Sequence, residues 1–470
     1  LELDANYSNE NSLSTRLRGN PQIATLPLTG WSDEAIHGLF DRRPDAPTHA
    51  DRAKPASLRR SEINTLFDIV YNLVGYPRLI NAFIEMMRET YVSRNVLRDD
   101  DRRRRMMLHT KGALDGKQFN FPLPRNWRPT ARSLNVLGLT GSGKTTFARI
   151  MLQIFAVVIH HTSYQGRNLA FDQVPLVYVQ IPFDGTIKSF LLNFCESVDR
   201  ALGYSSYYQE ALRVGSIAEM VSLMVRISDA IALGTLMIDD LHNLRVAKGP
   251  NIVIMFNLIS SLIECAGISV CTLGTPSVKS IVTPGAANQR KLVLNGAFEF
   301  SLMRWNSPAL LDFTEVLWSY LWVAHPVALT ESIRLAWFKA GAGNPHFMVM
   351  ALAQAQRNEI GARETIDELS FQHAATMNMA ILQPAIRAMR LGTPTALLAL
   401  DDMLVGNKLA ELRQELGVTG SDTLHYVSST SDEFPEVVRA EEKLKPKRTG
   451  ASKSVGEEAL PSAEDPFQMR

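Results

Sequence analysis

At 470 residues the chain exceeds one ordinary globular unit and has room for two or three domains, each burying its own core. A hydrophobic share of 46% and a charged share of 21% exclude collagen-like, coiled-coil and wholly disordered chains. Lys and Arg number 49 against 48 Asp and Glu, a net charge of +1, so any grip on nucleic acid must come from local patches. Cys195, Cys265 and Cys271 form no CxxC pair and lie in apolar stretches, which argues against a disulfide framework or a zinc site. The apolar runs at 150–159 and 252–273 are respectively too short and interrupted by Asn257, Glu264 and Gly267, so no membrane partner is expected. With no basic stretch leading into an apolar one at the start, the expected location is the cytoplasm.

In chain order, the first nineteen residues are polar and patternless, and Pro21, Pro27, Pro44, Pro47 and Pro55 predict an extended arm without long helices. Ile63, Leu66, Phe67, Val70, Leu73 and Val74 have helical spacing behind Ser61 as N-cap, and 79–91 repeats it after Gly75-Tyr76-Pro77. Residues 98–132 hold ten Lys and Arg against four Asp. This run reads either as a solvated linker whose DDDRRRR segment neutralises itself or as a phosphate contact. Strands are predicted at 134–137, 176–180, 235–238, 269–273 and 297–302, alternating with helices at 146–159, 188–202, 217–231 and 252–265. That alternation implies an α/β fold with a parallel sheet covered on both faces. Helices at 308–324, 329–340, 345–357, 364–378 and 394–415 form a helical lid. From 432 to 470 nine acids and seven bases in 39 positions predict a disordered tail. The expected organisation is thus an N-terminal arm and helices at 1–118, an α/β core at 119–305, the lid at 306–428 and the tail at 429–470.

Gly138-Leu-Thr-Gly-Ser-Gly-Lys-Thr145 matches G-x-x-x-x-G-K-[ST] between a short apolar strand and a helix, as a phosphate loop requires. Its glycines let backbone N–H groups face the phosphates of ATP, and the helix N-terminus adds positive partial charge. Gly138, Thr140, Gly141, Ser142, Gly143, Lys144, Thr145 and Thr146 are the expected nucleotide-binding residues, with Lys144 on the β- and γ-phosphates and Thr145 on Mg²⁺. About ninety residues on, Leu236-Met-Ile-Asp-Asp240 is an apolar strand ending in two acids, the form of a Walker B segment. Asp239 is the expected second magnesium ligand and Asp240 the base that orients the attacking water. Thr275, at the tip of the strand that follows, is a candidate for contact with the γ-phosphate or that water, the alternative being a turn residue. Arg290 is a candidate arginine finger supplied to a neighbouring subunit, the alternative being a plain surface arginine.

Taken together, GLTGSGKTT, LMIDDLHNL, ISVCTLGTPSVKSIV, LLNFCESVDRALG, GNPQIATLPL and YVSRN resemble the TnsC/TniB family of AAA+ ATPases, regulators of heteromeric DNA transposons. The likeness runs from about residue 20 to about residue 405 and is closer to full-length TnsC than to the shorter TniB. It implies an AAA+ P-loop NTPase core whose ATP-bound form makes homo-oligomeric rings or filaments on double-stranded DNA, associated with the bacterial nucleoid when active. It also implies recruitment by a TniQ/TnsD-type target selector, engagement of the TnsA and TnsB transposase proteins, and disassembly on hydrolysis. By position, the family's DNA-gripping lysine and small hydroxyl residue correspond to Lys188 and Ser206, beside Tyr204, Tyr207 and Tyr208. Two positions depart from the family pattern. Gly343-Asn344-Pro345-His346-Phe347 stands where many AAA+ proteins place an arginine, which predicts weak coupling between lid and phosphates and makes His346 a helix-start residue. Asp240 replaces the usual Glu. An alternative reading is a STAND-like or origin-recognition-like signalling ATPase whose oligomer binds protein.

Asp is shorter than Glu by one methylene, about 1.5 Å of reach, and a misplacement of ~1 Å can lower a rate ~100-fold. Intrinsic ATP turnover is therefore expected to be slow, and a steady-state phosphate-release assay giving fast turnover without any partner would contradict the assignment of Asp240.

Overall fold

Apolar runs of β-branched residues ending in glycine or acid build the centre of the molecule, and the computed structural model describes it through residues 2–392, apart from 29, 41–42, 74, 110–122, 184, 205, 246–250 and 279–295. The strands are β1 (Glu2–Asp4), β2 (Ser133–Gly138), β3 (Val158–Tyr164), β4 (Arg167–Gln173), β5 (Leu176–Gln180), β6 (Thr235–Asp239), β7 (Ser269–Gly274) and β8 (Ala297–Phe300). Five of them form one all-parallel sheet in the order β5-β6-β7-β2-β8. After the N-terminal arm the helices are α1 (Tyr76–Val92), α2 (Asp99–His109), α3 (Lys144–Ile154), α4 (Ile187–Leu202), α5 (Tyr207–Leu212), α6 (Ile217–Ala230) and α7 (Asn251–Ser261). The lid follows as α8 (Pro308–Trp318), α9 (Glu331–Gly341), α10 (Pro345–Glu359), α11 (Glu368–His373) and α12 (Gln383–Leu391). Phe194, Met224 and Leu258 from α4, α6 and α7 cover one sheet face with Val177, Val179 and Ile238, while Phe83 and Phe147 from α1 and α3 cover the other with Val136, Met237 and Cys271. The α/β fold with a parallel sheet covered on both faces is the one expected. Among the described residues no helix is long and apolar enough to cross a membrane.

Several local expectations differ. The helix expected over 146–159 ends at Ile154, because Phe155 turns to extended backbone and the β-branched Val158, Ile159 and Thr162 enter a strand. A hairpin, β3–β4, follows, turning at Gln165 and Gly166, both at positive φ as a two-residue primed turn requires. Residues 2–4 of the supposedly unpatterned arm pair with β3 as a parallel strand, and the arm forms short helices at Pro21–Ala24, Asp33–Phe40, His49–Arg52 and Ala56–Glu62 rather than staying extended. Ser61 is not an N-cap: it lies inside Ala56–Glu62, and Ile63–Phe67 is a 3₁₀ turn that buries Ile63 and Leu66 at its own period of three.

The N-terminal segment is divided between two cores. Arg59 donates to the Trp322 carbonyl at 2.9 Å and forks onto Glu364 at 2.7 and 2.8 Å, and Tyr320 donates to the Pro44 carbonyl at 2.8 Å, so this stretch lies on the lid. Ile63 and Leu66 join the lid core of Trp318, Trp337 and Phe371, whereas α1 packs against the sheet. The expected helix at 394–415, the tail at 429–470 and Arg290 lie outside the described residues.

The DDDRRRR segment of the basic run is not a solvated linker, and its Arg104 is not available to phosphate, while 110–122 of the same run lie outside the described residues. Residues 99–109 form α2, whose Asp101 and Arg104 are 1% exposed. Arg104 donates to Asp101 at 2.8 Å and to Asp229 of α6 at 2.6 Å, while Arg105 and His109 reach the other Asp229 oxygen. Burial alone would raise the Asp229 pKa, but the charge on Arg104 and the bond from His109 hold it far below the ordinary carboxylate range. Removing one partner of such a network strands the others in low dielectric. Asp229→Ala is therefore expected to lower stability by about 3–5 kcal/mol, read by urea unfolding; a loss under about 1 kcal/mol would mean that the network is solvated.

Candidate nucleotide-binding site

In an all-parallel sheet the carboxyl ends of the strands share one edge, and ligands bind there. Leu137 of β2 pairs with Gly274 of β7, and Ile238 of β6 pairs with Thr272. The phosphate loop, Thr275 and Asp239 therefore emerge side by side. At ~4.8 Å between strands, Asp239 stands about 10 Å across from the loop, with β7 between.

The loop has space for glycine alone at two positions. Gly141 and Gly143 have φ of +80° and +104°. A Cβ on Gly141 would lie 2.7 Å from Asn344 Oδ1, and one on Gly143 would lie 2.4 Å from the Tyr76 hydroxyl oxygen. Gly143 precedes α3, whose first turn holds Lys144, Thr145 and Thr146. Lys144 is 9% exposed and its Nζ donates to the carbonyls of Gly138 at 2.6 Å and Leu139 at 3.0 Å. A phosphate oxygen would offer that ammonium a charged acceptor in place of neutral ones. Beside the loop lies a cavity of about 390 Å³ lined by Tyr71, Tyr76, Lys144, Thr145, Arg149 and His346 among others. Its mixture of loop backbone, apolar walls and cations suits a nucleoside triphosphate.

Two parts of the chain distant in sequence hold the loop. Tyr76, at the start of α1, donates its hydroxyl to the Gly143 carbonyl at 2.8 Å. On the lid side, Asn344 donates from Nδ2 to the Thr140 carbonyl at 2.9 Å, while its Oδ1 accepts the His346 and Phe347 N–H groups and caps α10. The His346 N–H also reaches the Gly141 carbonyl at 3.3 Å. With no arginine at 343–347, the contact between lid and loop runs through Asn344 and the His346 N–H. His346 is a helix-start residue as expected, and burial lowers its pKa.

Asp239 is 2% exposed, and its carboxylate accepts the Asp240 N–H at 2.7 Å and the Tyr178 hydroxyl at 2.8 Å. Asp240 sits at φ +56°, a left-handed position that a short polar side chain tolerates. Burial, and then the Asp239 charge, raise the Asp240 pKa, which makes its carboxylate more basic. Thr275 is 2% exposed and shares a 2.9 Å hydroxyl contact with Ser277. No group of three or more His, Cys, Asp or Glu among the described residues could hold a metal ion by itself. Magnesium at Thr145 and Asp239 would need phosphate oxygens and waters to complete its shell, which is its ordinary habit. Lys188, in the first turn of α4, and Ser206, beyond its C-terminal end, are both exposed. Ser206 makes no capping bond; the Asp199 carboxylate accepts the Tyr207 and Tyr208 N–H groups instead.

Residues 128–282, about a third of the chain, match the family described as an AAA domain. The chain thus carries an AAA domain, and its phosphate loop, paired acids and Thr275 all fall inside the match. Solved structures with some likeness include the Walker-type ATPase of Pyrococcus abyssi, at 11% identity and TM-score 0.37, covering 63% of this chain and 87% of that one. Cdc6p of Pyrobaculum aerophilum aligns at 13% and 0.36 over 67% and 89%, and AMPPCP-bound DnaA of Aquifex aeolicus at 9% and 0.32 over 61% and 81%. Alignments this loose bear on neither reaction nor partner. No curated protein matches the chain.

The two roles of Asn344 can be separated. Asn344→Ala should remove both cap and tether and lower stability by about 1–2 kcal/mol. Asn344→Asp keeps the cap oxygen but loses the donor to Thr140, so stability near the parent with weaker ATP binding in calorimetric titration is expected. Parental affinity in Asn344→Asp would show that the tether does not reach the nucleotide.

Proposed function

We propose that the protein is an ATP-dependent AAA+ regulator of DNA transposition that oligomerises on target duplex DNA and links a TniQ/TnsD-type selector to TnsA and TnsB. The observation that carries the nucleotide-dependent part is the phosphate loop held at once by Tyr76 from the N-terminal segment and Asn344 from the lid. An occupant of the loop is then felt by both flanking regions, as coupling between nucleotide state and assembly state demands. The transposition part rests on the likeness of GLTGSGKTT, LMIDDLHNL and LLNFCESVDRALG to TnsC.

In this reading Lys144 and the loop N–H groups bind the triphosphate, and Thr145 and Asp239 would hold magnesium. Bound magnesium neutralises charge on the β- and γ-phosphates. Asp240, with its raised pKa, accepts a proton from the attacking water, Thr275 orients that water, and Arg290 of a neighbouring subunit faces the γ-phosphate. Lys188 and Ser206 contact DNA phosphates, which carry no sequence information, so binding is sequence-tolerant and weakens with salt.

Negative-stain microscopy with short duplex DNA tests the proposal: rings or filaments are expected with ATP or a non-hydrolysable analogue, and none with ADP. Lys144→Ala should abolish nucleotide binding and assembly, whereas Asp240→Ala should bind ATP and keep the polymer from disassembling. Nucleotide-dependent polymer that forms equally well without DNA would instead favour a signalling ATPase whose oligomer binds protein.

A further inference from the structure

We propose that Tyr178 is a positioning residue for Asp239, orienting the magnesium-binding carboxylate through its hydroxyl; the inference rests on the nucleotide-binding reading above. The argument starts from register. On parallel strands β5 and β6, Tyr178 pairs with Met237 and Gln180 with Asp239. Side chains alternate faces along a strand, so Tyr178 and Asp239 lie on the same face, two residue pairs apart. Its neighbours Val177 and Val179 turn to the other face and join the core beneath α4 and α6. A phenol is long enough to span those two positions along the strand; Val or Leu here would bring no donor to the edge. The Tyr178 hydroxyl reaches Asp239 Oδ2 at 2.8 Å.

The geometry at Asp239 gives that bond its meaning. Oδ1 accepts the Asp240 N–H at 2.7 Å and Oδ2 accepts the phenol, so the two oxygens are held from different directions. An ionised carboxylate has about four lone-pair sites. Two donors therefore fix the plane of the group and leave acceptor capacity for a metal ion or a metal-bound water. Without the phenol only the Asp240 N–H remains on this pair of oxygens, and the carboxylate can swing about its last torsion. A half-buried tyrosine could owe its place to packing alone, since its ring also lines a groove of about 350 Å³ beside Leu152, Phe155 and Val157. Packing would be satisfied equally by phenylalanine; the hydroxyl is what distinguishes the two residues. Partners of metal-binding side chains act by holding the ligand in its binding orientation, and losing one typically lowers metal affinity 10–100-fold.

The test is binding of a fluorescent ATP analogue to the full chain, in EDTA and across a magnesium titration, for the parent, Tyr178→Phe, Asp239→Asn and the double variant. Tyr178→Phe should keep the parental affinity and melting temperature in EDTA while its apparent magnesium constant weakens about tenfold. In the Asp239→Asn background the same change should have no further effect, since a positioning residue acts only through its partner. An unchanged magnesium constant in Tyr178→Phe, or an equal loss in both backgrounds, would overturn the proposal. So would a Tyr178→Phe chain that unfolds in EDTA, which would make the hydroxyl a structural requirement. A parent that binds no nucleotide would overturn the nucleotide-binding reading itself, and the parent arm alone reveals that outcome.

Discussion

A phosphate loop must leave most of its backbone N–H groups facing outward for an anion, and so can spend few of them on its own shape, as Ser142 does in donating to the Leu139 carbonyl at 3.1 Å. The carbonyls on its other side take over that task. Gly138 and Leu139 accept from Lys144, Thr140 accepts from Asn344, and Gly143 accepts from Tyr76. Each such bond contributes on the order of 1 kcal/mol net, comparable to the entropy of fixing one residue, so the loop keeps its form only while the segments that supply the donors stay docked. This ties the N-terminal segment and the lid to the loop. It also explains why Gly141 and Gly143 admit no side chain: the groups that hold the loop occupy the space a Cβ would take.

The acids obey a related constraint. Two adjacent carboxylates at a strand end repel, and burial adds to the difficulty of ionising both. The structure divides the load: Asp239 stays at 2% exposure with donors on both oxygens, while Asp240 turns into left-handed backbone and rises in pKa. Adjacent residues of the same type thus receive opposite environments, one suited to holding a cation and the other to taking a proton.

Away from the edge, charge serves packing. Asp101, Arg104 and Asp229 form a buried network that fastens α2 to α6, and Arg59 with Glu364 fastens the N-terminal segment to the lid. The α2 part of the first network lies in a run that reads by composition as a solvated linker or a phosphate contact. Lys188 and Ser206, by contrast, are exposed, one in the first turn of α4 and the other just beyond its C-terminal end.

Much of the sheet and half of the site were legible in the linear chain. The strand at 176–180 and those ending at Gly138, Asp239 and Gly274 follow from short apolar runs closed by glycine or acid, and the phosphate loop from eight contiguous residues. A parallel sheet then brings those strand ends to one edge whatever the details of packing. The β3–β4 hairpin escaped because apolar residues on either side of Phe155 continue a helical pattern that only the backbone turn at Phe155 breaks. Tyr76, Asn344 and Tyr178 escaped for a deeper reason: their partners lie 67, 204 and 61 residues away. A tyrosine opening a helix, an asparagine capping one and a tyrosine in a buried strand each look ordinary locally. The chain by itself determined where phosphate and metal chemistry could sit, because that chemistry needs contiguous backbone and strand termini. Which side chains hold that chemistry in place was decided only by tertiary structure, because hydrogen bonds act over three ångströms of space and are indifferent to distance along the chain.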